Sequence, residues 1–224
     1  MLPKTLAALS LAAASLFASC ADSETRWTSL LHDNDLSNWT YDIKDGSPPE
    51  SIYSVKDGIL SVNGAGKDVA VMRTREVFSN FELEFEWRWP GKPGNSGCLI
   101  YCTEPRYLNI WPKSLEVQLG HGNAGDLIFI GETIDVTEAQ IAKVDPAREN
   151  DWRVRLRHNL TDGSEKPAGE WNHARIVSDN GNVTVFINGE LVNKGWNASG
   201  RAGSICFQAE KADVEYRSIR IAPH

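Results

Sequence analysis

Glu116 and Gln118 stand two residues apart in Leu115-Glu116-Val117-Gln118-Leu119, a run whose alternation predicts a β-strand. With Leu115, Val117 and Leu119 on the core face, the carboxylate and the amide emerge together on the opposite face, about 7 Å apart. The Gly-rich turn that follows, Gly120-His121-Gly122-Asn123-Ala124-Gly125, adds an imidazole, and Asp126 adds a second carboxylate. Such a set suits acid–base work on a sugar, or binding of its hydroxyls, so Glu116, His121 and Asp126 are the candidate catalytic groups. The same residues also suit a solvated sheet edge followed by a plain turn. Upstream, Asn95-Ser96-Gly97 opens the preceding predicted strand, where an Asn side chain can hydrogen-bond hydroxyls. Tyr101, Tyr107, Trp111 and Trp196 are candidate platforms for pyranose rings. Of the eight Trp residues most must be core; Trp87, Trp89 and Trp171 are assigned there, and Trp111, before Pro112, is expected to be exposed.

Several other chemistries lack their patterns. The chain has no Gly-x-Ser-x-Gly elbow, no phosphate loop and no His-x-x-x-His or His-x-His cluster. Conventional glycosidases use two facing carboxylates about 5–9 Å apart, and Glu116 has no partner two or four residues onward along its strand. The Glu82, Glu84, Glu86 stripe is read as a charged outer face. With 30 acidic against 23 basic residues and no Lys/Arg cluster, a nucleic-acid partner is excluded.

The elements that must position these residues are strands. Phe81 to Trp89 places Phe81, Leu83, Phe85, Trp87 and Trp89 on one face and Glu82, Glu84, Glu86 and Arg88 on the other. Similar short strands are predicted at 51–55, 59–63, 69–74, 97–103, 115–119, 152–157, 172–178, 182–187, 203–208 and 214–221. Lys56-Asp57-Gly58, Asp179-Asn180-Gly181 and Asn188-Gly189 are hairpin signals, because Asn, Asp and Gly accept positive φ. Residues 137–144 are the best helical candidate, while 90–96 and 158–170 are loops. Many short strands with such turns predict an all-β, two-sheet sandwich or barrel.

The chain opens with Lys4 and an apolar run from Leu6 to Ala18, too short to span a bilayer and ending in Phe17-Ala18-Ser19-Cys20. We read residues 1–20 as a lipoprotein signal peptide with Cys20 as the lipidation site, 21–26 as a tether, and 27–224 as one domain. The protein is thereby expected in the cell envelope, touching the membrane only through a lipid on Cys20. Of the other cysteines, Cys98 and Cys102 would lie about 13 Å apart on one strand, beyond disulfide reach. One of them could pair with Cys206; small core residues are the favoured reading for all three.

The order of motifs resembles the 3-keto-disaccharide hydrolase domain family. It runs through Leu30-Leu-His-Asp-Asn-Asp-Leu-Ser-Asn-Trp39, Val55-Lys-Asp-Gly-Ile-Leu60, Asn80-Phe-Glu-Leu-Glu-Phe-Glu-Trp-Arg88, Asn95-Ser-Gly97 and Trp111-Pro-Lys-Ser-Leu-Glu-Val-Gln118. Gly125-Asp126, Glu170-Trp-Asn172, Asn188-Gly189 and Val214 to Ile221 complete it. The resemblance implies a concanavalin-A-like jelly roll with a site around Asn-Ser-Gly, Glu-x-Gln and Gly-Asp. It also implies action on glycosides carrying a ketone at C3, whose acidified C2 proton a single base can remove. In that scheme Glu116 is the base or a metal ligand, Gln118 and Asn95 position hydroxyls, and His121 or Asp126 assists. A divalent metal cofactor is left open. Where many family members read Leu-Gln-x-His-Gly, this chain has Phe207-Gln208-Ala209-Glu210-Lys211, so either Glu210, beside Gln208, takes that histidine's place or the activity differs. A non-catalytic carbohydrate-binding lipoprotein and a conventional two-carboxylate glucanase are the alternatives.

Overall fold

The computed structural model describes residues 26–144, 147, 151–161 and 163–224; the expected signal peptide, its expected lipidation site Cys20 and all of the expected tether but Arg26 lie outside them. Among the described residues, fifteen strands form two antiparallel sheets. One sheet contains β1 (Thr28–Ser29), β3 (Tyr53–Lys56), β4 (Ile59–Asn63), β6 (Phe81–Arg88), β11 (Asn172–Asp179), β12 (Asn182–Ile187), β13 (Glu190–Gly195) and β15 (Asp213–Pro223). Its order is β13-β12-β11-β6-β15-β4-β3, with β1 beside β15. The other contains β2 (Trp39–Ile43), β5 (Ala70–Thr74), β7 (Gly97–Cys102), β8 (Ser114–Gln118), β9 (Leu127–Ile130), β10 (Leu156–Arg157) and β14 (Ser204–Ala209). Its order is β10-β9-β8-β7-β14-β5-β2.

Period-two alternation explains the layering. On β6, Phe81, Leu83, Phe85 and Trp87 are fully buried and face the other sheet, where Phe85 meets Phe207 of β14 edge-on at 5.2 Å. The intervening Glu82, Glu84 and Glu86 accept hydrogen bonds from Arg175, Arg220 and Arg217 on the outside. This is the charged outer face expected, held by paired ions worth roughly 0–1 kcal/mol each. All three hairpin signals form turns with two consecutive positive φ values: Asp57-Gly58, Asn180-Gly181 and Asn188-Gly189.

Four expectations need correcting. Residues 137–144 form only a 3₁₀ turn at Glu138–Gln140, because the Gln140 side chain is pulled inward to Asn193. Trp152–Arg155 is a 3₁₀ turn rather than strand, and pairing starts at Leu156. Trp171 is half-buried on the outer face, its ring sandwiched between Arg88 and Arg217 at 4.5 and 4.2 Å. Tyr101 is only 1% exposed, its hydroxyl bonded to Ser178 at 2.7 Å, so it offers no surface for a sugar ring. Strands β1, β2, β9 and β13 had no matching prediction.

Candidate functional site

The outer face of the seven-stranded sheet carries a cleft of about 320 Å³. Strand register builds its floor in rows. Glu116 of β8 stands opposite Leu99 of β7, which stands opposite Cys206 of β14. One row on, Gln118 pairs with Gly97, and Gln208 follows in register on the far side. Asn95 and Glu210 form the next row as an isolated antiparallel bridge. Asn95, Glu116, Gln118, Gln208, Glu210 and Trp111 therefore share one cleft, although they come from three chain segments.

Gly97 leaves the gap that lets the rows meet: an added Cβ would lie 2.5 Å from Glu116 Oε1 and 2.7 Å from Gln208 Oε1. Gly120 does the same at the rim, where a Cβ would lie 2.5 Å from Asn95 Oδ1. Ser96 is buried and pins the segment from below, donating to the Gln208 carbonyl at 2.8 Å and contacting Tyr216 Oη at 2.7 Å. Gln118 Oε1 accepts from the Leu119 and Gly120 amides at 2.9 and 2.7 Å, which fixes its amide group. Gln208 Oε1 is buried and has no hydrogen-bond partner among the described residues.

The electrostatics single out one carboxyl. Glu116 is 5% exposed, and burial, reinforced by the charge of Glu210, pushes its pKa up to about 8. A hydrogen bond with Gln208 and the Arg155 guanidinium oppose the rise. Glu210 is also raised by burial, against a hydrogen bond with Asn95 and the charge of Lys211. Beside this polar half, Leu99, Cys102, Ile130 and Cys206 form an apolar cluster with Trp111 against it. Trp111 is held there by paired backbone bonds with Leu108 at 3.1 and 3.0 Å. Half a cleft of hydroxyl-binding groups and half of apolar surface suits a pyranose ring, whose hydroxyl edge is polar and whose C–H face is apolar.

Arg155, Trp152, Leu108, Ile128 and Ile130 also line the cleft without having been singled out in the sequence. Ile128 and Ile130 belong to a short apolar run, Leu127-Ile-Phe-Ile130, that could have been read as a strand. Arg155 gave no signal, since it sits on the 3₁₀ turn that alternation misreads.

His121 and Asp126 do not join the cleft. His121 Nδ1 lies 3.1 Å from Glu165 Oε1, lining a separate hollow with Asn159, Thr161 and Ser164. Asp126 is buried and accepts the Asn159 amide at 2.6 Å, with His158 Nδ1 at 3.7 Å. They hold Glu165 and Asn159 instead, because the chain leaves the sheet face after Gln118. Tyr107 and Trp196 also lie off the cleft: Tyr107 packs against Gly131, and Trp196 pairs with Asp135. Among the described residues, no group of three or more His, Cys, Asp or Glu side chains is arranged to hold a metal ion.

The model of the 3-keto-alpha-glucoside-1,2-lyase-like domain matches residues 26–222. A 3-keto-disaccharide hydrolase of Bacteroides thetaiotaomicron is 27% identical over 174 residues, covering 70% of this chain and 54% of its own. The chain thus spans about half the length of that relative. Among solved structures, a Parabacteroides distasonis protein with a provisional glycosyl-hydrolase description superposes at a TM-score of 0.62 and 20% identity, covering 88% of this chain and 94% of that one. A carbohydrate-binding module of Bacillus subtilis superposes at 0.52 and 8% identity, covering 82% and 94%. At these identities the two structures bear on the fold.

Proposed function

The chain belongs to the 3-keto-alpha-glucoside-1,2-lyase-like family, and from that premise we propose that its outer cleft cleaves glycosides oxidised to a ketone at C3. Membership and the hydrolase-named relative support a carbohydrate-active protein. The observation that carries the finer reading is Glu116, a buried carboxyl with its pKa raised to about 8 in a cleft with one polar and one apolar half.

A carboxylate of that basicity suits removal of a C–H proton acidified by a neighbouring ketone. Glu116 takes the C2 proton, and the C2–H electrons move onto the C3 oxygen as an enolate. The enolate reforms the ketone and expels the C1 oxygen substituent, leaving a C1–C2 double bond. Water adding at C1, with a proton returned to C2, completes a net hydrolysis; release before that step makes the enzyme a lyase. Arg155 and Gln208 supply positive charge and amide donor capacity beside Glu116 for the enolate oxygen. Asn95, Gln118 and Glu210 position hydroxyls, the proton that Glu116 has taken passes to the leaving oxygen, and Trp111 takes the apolar ring face. The enzyme works in the cell envelope, tethered through lipid on Cys20.

The test is aglycone release from 3-keto-glucosides beside the unoxidised glucosides, with and without chelator. Release from the ketosugars alone supports elimination, and loss with chelator adds a metal to the requirement. Silence on both sets, with retained sugar affinity, leaves a binding protein. A second reading, the two-carboxylate glycosidase, draws on Glu210 sharing the cleft with Glu116. Release from unoxidised glucosides establishes that reading instead.

A further inference from the structure

The cysteines divide by face. Cys98 and Ile100 of β7 point into the core, while Leu99 lies on the outer face in the cluster with Cys206. Strict alternation would turn Tyr101 outward and Cys102 inward. Instead Tyr101 adopts φ +57°, a costly conformation for an aromatic residue, and the pairing of β7 with β14 shifts register there. Tyr101 goes into the core, and Cys102 comes out beside Cys206, Sγ to Sγ 2.9 Å. Gly203 admits this kink, since a Cβ there would lie 2.2 Å from the Tyr101 carbonyl carbon.

We propose that Cys102 and Cys206 are a disulfide-forming pair that cross-links β7 to β14 under the apolar half of the cleft. The inference stands on the strand geometry and is independent of the reaction assigned to the site. In the step, the thiolate of one cysteine attacks a small-molecule disulfide such as oxidised glutathione, releasing one glutathione thiol and leaving a mixed disulfide. The second protein thiolate then displaces the remaining glutathione. Two protein thiols are oxidised, and their two electrons and two protons pass to glutathione, which leaves as two thiols. A bond of about 2.05 Å asks the sulfurs to approach by roughly 0.9 Å more. The cross-link fixes the strand of Gly97 to the strand of Gln208, and with it the spacing over which Glu116 sits.

Both thiols are buried, and burial pushes the Cys102 thiol well above its ordinary value, so its reactive thiolate is scarce once the chain has folded. Oxidation therefore belongs to folding, and the experiment is refolding of the full chain with oxidised and reduced glutathione. Alkylation in denaturant and peptide mapping then follow. We expect a Cys102–Cys206 linked peptide that reductant abolishes, with Cys98 alkylated, and a Tm on the order of 10 °C above the reduced protein. Cys98→Ser should form the same link, and Cys206→Ser should lack it and show the same Tm whether refolded with or without oxidised glutathione. Recovery of Cys102 and Cys206 both alkylated from refolded protein, or a link from Cys206 to Cys98, overturns the proposal.

Discussion

Glu116 and Gln208 reach toward one another across Gly97, whose missing side chain is the space they share: a Cβ there would fall 2.5 Å from one Oε1 and 2.7 Å from the other. Both obstructing atoms are ends of side chains, so Gly97→Ala should fold and displace them instead. A shift approaching 1 Å at a reacting group costs about 10²-fold in rate. We therefore expect kcat on the preferred 3-keto-glucoside to fall by about that factor while circular dichroism and Tm stay near wild type. An alanine variant with unchanged kcat would remove Glu116 from the reaction.

The direction of the pH profile separates two roles for Glu116. As a base it must be ionised, so with a pKa of about 8 kcat/KM should climb roughly tenfold per pH unit below 8 and level above it. As a general acid it would give the mirror image, falling above 8. Glu116→Gln should abolish either limb and lower kcat by several orders of magnitude while some sugar affinity remains. An unchanged profile in that variant would place the chemistry elsewhere.

Glu210 gives this profile a second handle, because its charge contributes to the rise at Glu116. Glu210→Gln removes that repulsion, so the limb assigned to Glu116 should move to lower pH. A limb that stays at its wild-type position would show the two carboxyls to be uncoupled.

How far the sequence reaches can be judged from these same residues. Alternation puts Glu116 and Gln118 on one face because a β-strand has no other way to bury Leu115 and Val117. It fails at His121 and Asp126, where nearness in sequence stands in for nearness in space: Gly122 at φ +82° and Gly125 at φ +95° carry the chain off that face. It fails again at Tyr101, where one positive φ reverses the parity of everything after it. Trp171 was within reach, since counting back from buried Ile176 and Ala174 gives it outward parity. Arg155 was not, because a loop residue folded over a sheet obeys no period.

Stability should carry the same signature as the rate. The ordinary carboxyl value is 4.5 and that of Glu116 in the fold is about 8. Between these values the folded protein holds a proton that the unfolded chain has released, so stability falls as pH rises through the window. Glu116→Gln is uncharged in both states and escapes this loss. Denaturant melts should show it equal to wild type near pH 4 and more stable by on the order of a few kcal/mol at pH 8. A constant difference across that range would mean that Glu116 titrates normally.

The residues outside the cleft make the opposite prediction. Asp126 holds the backbone amide of Asn159, and removing its charge in Asp126→Asn weakens a buried hydrogen bond worth about 1–3 kcal/mol. Tm should fall while kcat/KM, measured well below the new Tm, stays within about threefold of wild type. His121→Ala, which loses only the contact to Glu165 at a half-exposed site, should change neither by much. Glu165 keeps its bonds from the Gly122 amide and the Trp89 indole, so the loop retains its anchor. If turnover instead dropped about a hundredfold in either variant at undiminished Tm, a loss as large as that of a displaced reacting group, the hollow beside His121 would take part in the chemistry. The reacting sugar would then have to reach beyond the cleft over Gly97.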